Sequence, residues 1–349
     1  MDLDALSGVV AYKHTGEGVT TVTAAVDRIN IKNPLTEICN LEMSGQVTYA
    51  TGRSSLEVTL QIAKAPNSAT DSEQHIPKAV QPEDIFMTCA FTMVSLDPVT
   101  KKPVNIAPLT LSTAAERALY AKGEENHKVK KSLKKSHILQ KAPDAEESAL
   151  IHTMWTDSVA FADANNPTKR PTNMTPMSKS TLYSAQIMQP QYRNRHDFMI
   201  FGGYLLKQTF ELAFTCAASF SHARPTFVNL DPSTFESPVP VGSVLYINAS
   251  VIYTEPDAVA GGTRIQVMVL THVRNVEHGE NERKSTGTFF YTFHVDIDVI
   301  VLPESYSEFM RWVSGRRRAK RLTENMEADA KGGRRLSVIG GSGAERVTE

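Results

Sequence analysis

Cysteine is scarce: the 349 residues hold three, Cys39, Cys89 and Cys216, far apart and set in largely apolar runs. An odd, scattered set argues against a disulfide framework and predicts reduced, buried thiols in an intracellular protein. Long apolar runs are missing too. No stretch approaches the ~20 residues that a helical membrane span needs. Net charge is nearly absent, with 37 Lys and Arg against 38 Asp and Glu. No global field therefore points to nucleic acid or a membrane surface as partner. His222, His272 and His294 lack the spacing of metal ligands, so neither a metal nor a cofactor is expected.

What is present is ordinary globular material, 41% hydrophobic and 21% charged, in a chain long enough for two domains. The first residues, MDLDALSGVVAY, carry no arginine and neither a secretory nor a mitochondrial targeting pattern. Leu3, Leu6, Val9 and Val10 already show helical apolar spacing. No cap or loop precedes them, so the chain reads as starting inside a helix, with an upstream segment expected to be missing.

Strands are predicted over residues 20–30, 38–51, 54–64 and 85–96. In SSLEVTLQIA, Leu56, Val58, Leu60 and Ile62 alternate with Glu57, Thr59 and Gln61, as in a sheet with one buried face. Residues 112–140 turn helical, rich in Ala, Glu, Leu and Lys. A second helix follows KAPDAEESALIHTMW, with Asp144 as N-cap and Glu147 as its capping-box partner. NNPTKRPTNMTPMSKS, residues 165–180, reads as a loop. A strand in TLYSAQIMQP, a polar loop and a long helix come next, then strands over 226–230, 243–254, 263–276 and 285–295. From about residue 314 the chain is basic, then Gly/Ser-rich, and is expected to be disordered.

The halves echo one another. VDRINIKNPL answers to VNLDPSTFESPVPVG, VTYATGRSSLEVTLQIAK to SVIYTEP plus GTRIQVMVLTHV, and CAFTMVSLD to FYTFHVD. Each half is a long helix followed by an antiparallel meander. A sheet with one apolar face needs a cover, and a helix that is apolar nearly all round can be wrapped by it. The expected class is α+β, with tandem hot-dog domains.

PQYRNRHDFMIFGGYLLKQTFELAF, SHARPTFVNLD and SPVPVGSVLYINASVIYT resemble the C-terminal hot-dog domain of the eukaryotic double-hot-dog acyl-CoA thioesterases, the mitochondrial branch above all. VDRINI and GQVTYATGRSSLEV resemble the first domain of that family, and AERALYAKGEENHKVKK with APDAEESALIHTMW its interdomain helices. On this pattern residues 1–111 form a first domain without its first strand and helix start. Residues 112–180 join the domains, 181–313 form the second, and 314–349 the basic tail. DLDAL matches the middle of the first helix of the family, which puts Asp2 or Asp4 near the place that Glu211 holds in the second half.

The resemblance implies hydrolysis of fatty acyl-CoA to free fatty acid and coenzyme A, a mitochondrial location (otherwise a cytoplasmic one), and homo-oligomers of double-hot-dog chains. A non-catalytic acyl-CoA binder or degenerate scaffold is the alternative, favoured by the missing front of the first domain. Thioester hydrolysis needs a positioned water, a polarised carbonyl and an apolar slot. Gly202 and Gly203 open a helix, where backbone N–H groups meet the positive end of the dipole and a carbonyl can approach closely. Helix packing alone would also explain the pair. Asn194 best matches the position in the family that binds water or the thioester. Asp197 competes with it as general base, with His196 behind, and loop solvation or N-capping is the plain reading of all three. Glu211 is the lone charge in FELAFTCAASF and reads as a buried carboxylate that orients water, or as a structural ion pair. Arg53, Ser54 and Ser55 form a turn for which the resemblance implies contact with the coenzyme A pyrophosphate or the facing domain, a hairpin with solvated hydroxyls being the plain reading; Gly262, Thr263 and Arg264 stand there in the second half.

Overall fold

The computed structural model describes the whole chain except residues 32, 34, 36, 66–81, 136–140, 166–167, 195–198, 275–282 and 333–349. The chain divides into two compact units. One holds Asp2–Thr23 and Ile29–Glu124; the other holds Ala24–Arg28 and Glu125–Glu324.

The N-terminal unit runs α1 (Asp2–Thr15), β1 (Thr20–Ile31), β2 (Leu41–Ala50), β3 (Ser55–Lys64), β4 (Ile85–Leu96) and the front of α2 (Ala114–Lys135). Its antiparallel sheet has the order β2-β3-β4-β1 and wraps α1. In β3, Leu56, Val58, Leu60 and Ile62 are buried as expected, but Glu57 and Gln61 on the opposite face are buried too, so the strand does not have the single buried face that the alternation predicts. The buried stripe of α1 differs from the expected one. It consists of Asp4, Ser7 and Ala11, while Val9 is exposed.

The C-terminal unit runs α3 (Ala145–Ala162), β5 (Met174–Pro176), β6 (Leu182–Ile187), α4 (Gly202–Ser221), β7 (Thr226–Leu230), β8 (Ser233–Thr234), β9 (Val244–Pro256), β10 (Thr263–Arg274), β11 (Lys284–Val295), β12 (Ile300–Leu302) and α5 (Tyr306–Gly332). Its main sheet has the order β6-β9-β10-β11-β7 and wraps α4. Leu205, Thr209, Ala213, Cys216, Ala217 and Phe220 line the buried side of α4. Phe210 and Phe214 meet Phe227 and Phe293 at ring separations between 5.4 and 6.1 Å. Edge-to-face pairs of this kind add roughly 0.5–1.5 kcal/mol each beyond the area they bury. Both units are hot-dog folds, as the pattern predicts. Among the described residues, no strand flanks β2 as β6 flanks β9.

The repeat extends to details of register. Thr48 is an extra residue in the β2/β3 ladder, just before Tyr49; Ile252 is an extra residue in β9/β10, just before Tyr253. Each bulge turns a tyrosine toward an outer helix. A Cβ on Gly123 of α2 would lie 2.7 Å from Tyr49 Cβ, and one on Gly315 of α5 would lie 2.5 Å from Tyr253 Cβ. Three residues earlier, Tyr120 and Trp312 set their rings 4.9 and 5.3 Å from the same two tyrosines. Each sheet is thus covered on its second face by a helix that needs glycine at the crossing.

The basic run of residues 316–321 is helical, which overturns the expectation of disorder from residue 314. Arg316 pairs with Glu146, and Arg317 forks onto both oxygens of Glu147 at 2.8 and 2.6 Å. The guanidinium of Arg318 lies 3.4 Å from the Phe290 ring centroid and 3.6 Å from Asp231 Oδ2. The acids that neutralise the run are far off in sequence. Glu147 also closes the expected capping box with Asp144. Part of the expected loop 165–180 is ordered too: β5 pairs in parallel with β12, and a 3-10 turn follows at Met177–Ser180. All three cysteines are free, but Cys39 is only half-buried, so the expectation of buried thiols holds for Cys89 and Cys216 alone.

Candidate active site

The loop from β6 to α4 is a small closed hairpin. Arg193 and Ile200 form a bridge, Asn194 N donates to Met199 O at 2.7 Å, and Phe201 N donates to Tyr192 O at 2.9 Å. Asn194 is thereby fixed, half-buried, at the base of the loop tip. Asp197 and His196 lie outside the described residues. Gly202 and Gly203 are the first two residues of α4, behind Phe201, an N-cap without a side-chain cap bond. The positive end of the helix therefore faces the loop. Tyr192 stacks on Tyr204 with centroids 3.8 Å apart and 12° between planes, tying the loop to the first helical turn. Burial pushes the Tyr204 phenol above its ordinary pKa, with Tyr192 and Glu211 adding to the shift. Sequence reasoning passed over this pair; two tyrosines bracketing the glycines were the available signal.

Glu211 is not buried. Its side chain is 54% exposed, 3.7 Å from Lys207 Nζ and 3.3 Å from Gln208 Nε2. It lies on the Lys207–Glu211–Thr215 stripe, each residue one turn from the next and all exposed. The corresponding helix of the other unit, α1, does bury a carboxylate on its inner face. Asp4 is 3% exposed and accepts a hydrogen bond from Thr23 Oγ1 at 2.6 Å. Nearby, Ser7 Oγ reaches Met93 Sδ, as does the Thr23 hydroxyl. Burial, and then the charge of Asp4, push the Cys89 thiol up to about 12. So the helix of the N-terminal unit sets a small polar cluster against its sheet, where the helix of the C-terminal unit sets Phe210 and Phe214 against phenylalanines.

The turn of Arg53, Ser54 and Ser55 is held by its backbone. Gly52 takes φ +86°, Ser95 N donates to Ser54 O at 2.7 Å and Ile106 N to Arg53 O at 3.2 Å. The Arg53 side chain is exposed, and both serines are half-buried. The counterpart differs. Arg264 donates from Nε to Asp257 Oδ2 at 2.8 Å and from Nη2 to Asp257 Oδ1 at 3.2 Å. No group of three or more His, Cys, Asp or Glu side chains suited to a metal occurs among the described residues.

No protein-family model matches the chain. The mitochondrial acyl-coenzyme A thioesterase 9 of Bos taurus is 30% identical over 331 residues, 92% of this chain and 70% of the relative. The Homo sapiens protein of the same name is 30% identical over 325 residues, 90% of this chain and 69% of the relative. The chain belongs to the acyl-coenzyme A thioesterase family. Among solved structures, an acyl-CoA hydrolase from Bacillus cereus aligns with a TM-score of 0.41 at 20% identity, covering 47% of this thioesterase chain and 98% of its own. For this thioesterase the glycine pair, the Asn194 loop, the Arg53 turn and Asp4 are the features for which a catalytic reading has to account. No described helix is long and apolar enough to cross a membrane.

Proposed function

We propose that the chain hydrolyses fatty acyl-CoA. Water adds to the thioester carbonyl carbon, the C–S bond breaks, and a free fatty acid and coenzyme A leave. The observation that carries the reading is the buried Asp4 carboxylate bound to Thr23, in a chain of this family. A desolvated carboxylate is costly to keep and suits a proton acceptor. Each unit carries its own candidate for that role, Asp4 in the N-terminal unit and Asp197, in the sequence just before α4, in the C-terminal unit. Asp4 is buried with a fixed hydroxyl partner, and exposure counts against Glu211.

Gly202 and Gly203 are assigned to the carbonyl oxygen. Amides at a helix start can stabilise the oxyanion, and a single donor of this type is worth about 3 kcal/mol. Asn194, which can both donate and accept, is assigned to the water or the thioester oxygen. Arg53 with Ser54 and Ser55 is assigned to the phosphates of coenzyme A, an anion that suits guanidinium and hydroxyl donors. The names of the bovine and human relatives support a mitochondrial location, and the family resemblance supports a homo-oligomer of double-hot-dog chains.

The test is thiol release from a series of acyl-CoAs of increasing chain length. Turnover by the intact protein, lowered by a factor of about 10²–10⁴ in Asp4→Asn and strongly reduced in Asn194→Ala, is the expected result. Binding without turnover would leave a non-catalytic acyl-CoA binder.

A further inference from the structure

Away from every residue assigned above, a cavity of about 420 Å³ opens beside β6, β9 and β10 in the C-terminal unit. Cross-strand register puts Tyr246 opposite both Ala185 and His272, and Asn248 opposite Tyr183. Leu245 and Ile247 alternate to the buried side against α4, so the facing set looks outward. The His272 and Tyr246 rings are nearly parallel, 11° apart with centroids separated by 5.2 Å. The Arg274 guanidinium stands over Tyr246 at 5.1 Å from its centroid. Arg283 Nη2 lies 3.2 Å from His272 Nδ1.

That last contact fixes a tautomer. A guanidinium has only donors, so Nδ1 must accept and the imidazole proton must sit on Nε2. The environment agrees, since burial and the charges of Arg283 and Arg274 pull the His272 pKa down to about 4. The charged groups that line the cavity are thus the two guanidiniums, beside a neutral His272 ring, the Asn248 amide and the Ser184 hydroxyl. The rest is aromatic, with Tyr183 76% exposed at its side. Donors around a flat aromatic wall suit one kind of ligand.

We propose that this cavity binds a small planar organic anion, an aromatic ring carrying a phosphate or carboxylate. The ring lies against Tyr246 and Tyr183, and the anionic group meets Arg283 and Arg274. Such a group could be the nucleotide end of the substrate or part of a separate molecule, and we assign the separate molecule, because the acyl-CoA reading uses none of these residues.

Titration calorimetry of the full chain with phenyl phosphate tests this, with inorganic phosphate and benzyl alcohol as the half-ligands. Phenyl phosphate should bind at least about tenfold more tightly than either half-ligand, and Arg283→Gln should weaken it by about tenfold or more. In the same titration followed by NMR, the His272 imidazole pKa should rise as the anion offsets the two guanidiniums. The KM for acyl-CoA should be unchanged in Arg283→Gln, whose side chain is exposed and whose loss leaves the fold intact. Equal affinity of wild type and Arg283→Gln, no saturation by about 10 mM phenyl phosphate, or a raised KM for acyl-CoA would each overturn the proposal.

Discussion

Thr23 holds Asp4 by a 2.6 Å hydroxyl–carboxylate bond on the inner side of the N-terminal sheet. Loss of a general base typically costs a factor of about 10²–10⁴ in rate. Asp4→Asn should lower kcat in that range while leaving thermal stability equal or higher, because a buried charge is removed. Glu211→Gln should stay within about twofold, since an exposed i,i+4 pair contributes little. Full activity of Asp4→Asn in the thiol-release assay would return the role to Asp197.

The two repeat turns should separate binding from folding. Arg53 is exposed, and Arg53→Ala should raise KM for acyl-CoA by about tenfold, the size of one charge-assisted contact, with an unchanged Tm. Arg264 is bound to Asp257, so Arg264→Ala should lower Tm and leave KM alone. Exchange of these two outcomes would remove coenzyme A from the Arg53 turn.

Gly315→Ala should destabilise the C-terminal unit by about 1–3 kcal/mol, read as a lowered denaturation midpoint in urea. The new methyl would press on Tyr253 at a helix–sheet crossing with no room to yield. Gly8→Ala in α1, where nothing lies within 4 Å, should be neutral or stabilising.

Acid should loosen α3 from α5. The bond from Arg317 holds the Glu147 carboxyl below the usual carboxylate range. The folded state therefore binds this proton less readily than the unfolded chain. Its contribution is complete above the unfolded value, about pH 4.3, and is lost as pH falls through the lower folded value. The Tm difference between wild type and Glu147→Gln should be largest at neutral pH and shrink below about pH 4. A difference that stays constant to acid pH would remove the ion pair as its cause.

Much of the fold could be read from local pattern. The apolar face of β3, the echoing meanders and the Asp144/Glu147 box all depend on residues close in sequence, whereas the burial of Glu57 and Gln61 on the other face of β3 does not show in its alternation. What escaped depends on facing and on distant partners. In α4 the residues on either side of Glu211, Phe210 and Leu212, are apolar, so its immediate surroundings in sequence suggested burial, while the polar residues one turn away at Lys207 and Thr215 marked the exposed stripe. In α1 the leucines and valines suggested the inner face, yet Asp4, Ser7 and Ala11 occupy it. Leu3 and Leu6 are only half-buried. The helical fate of residues 316–318 was invisible because their acids stand about 170 and 87 positions upstream in the chain.

Gly123 and Gly315 also change what counts as one copy of the repeat. The duplicated piece includes its outer helix, so a fragment ended at residue 111 or 313 would part each meander from its own clasp. Such a fragment would keep every strand of its unit and still expose Tyr49 or Tyr253 to water, with the buried side chains of Glu57 or Gln266 beside them. Anyone dividing this chain to study one half should cut after the outer helix.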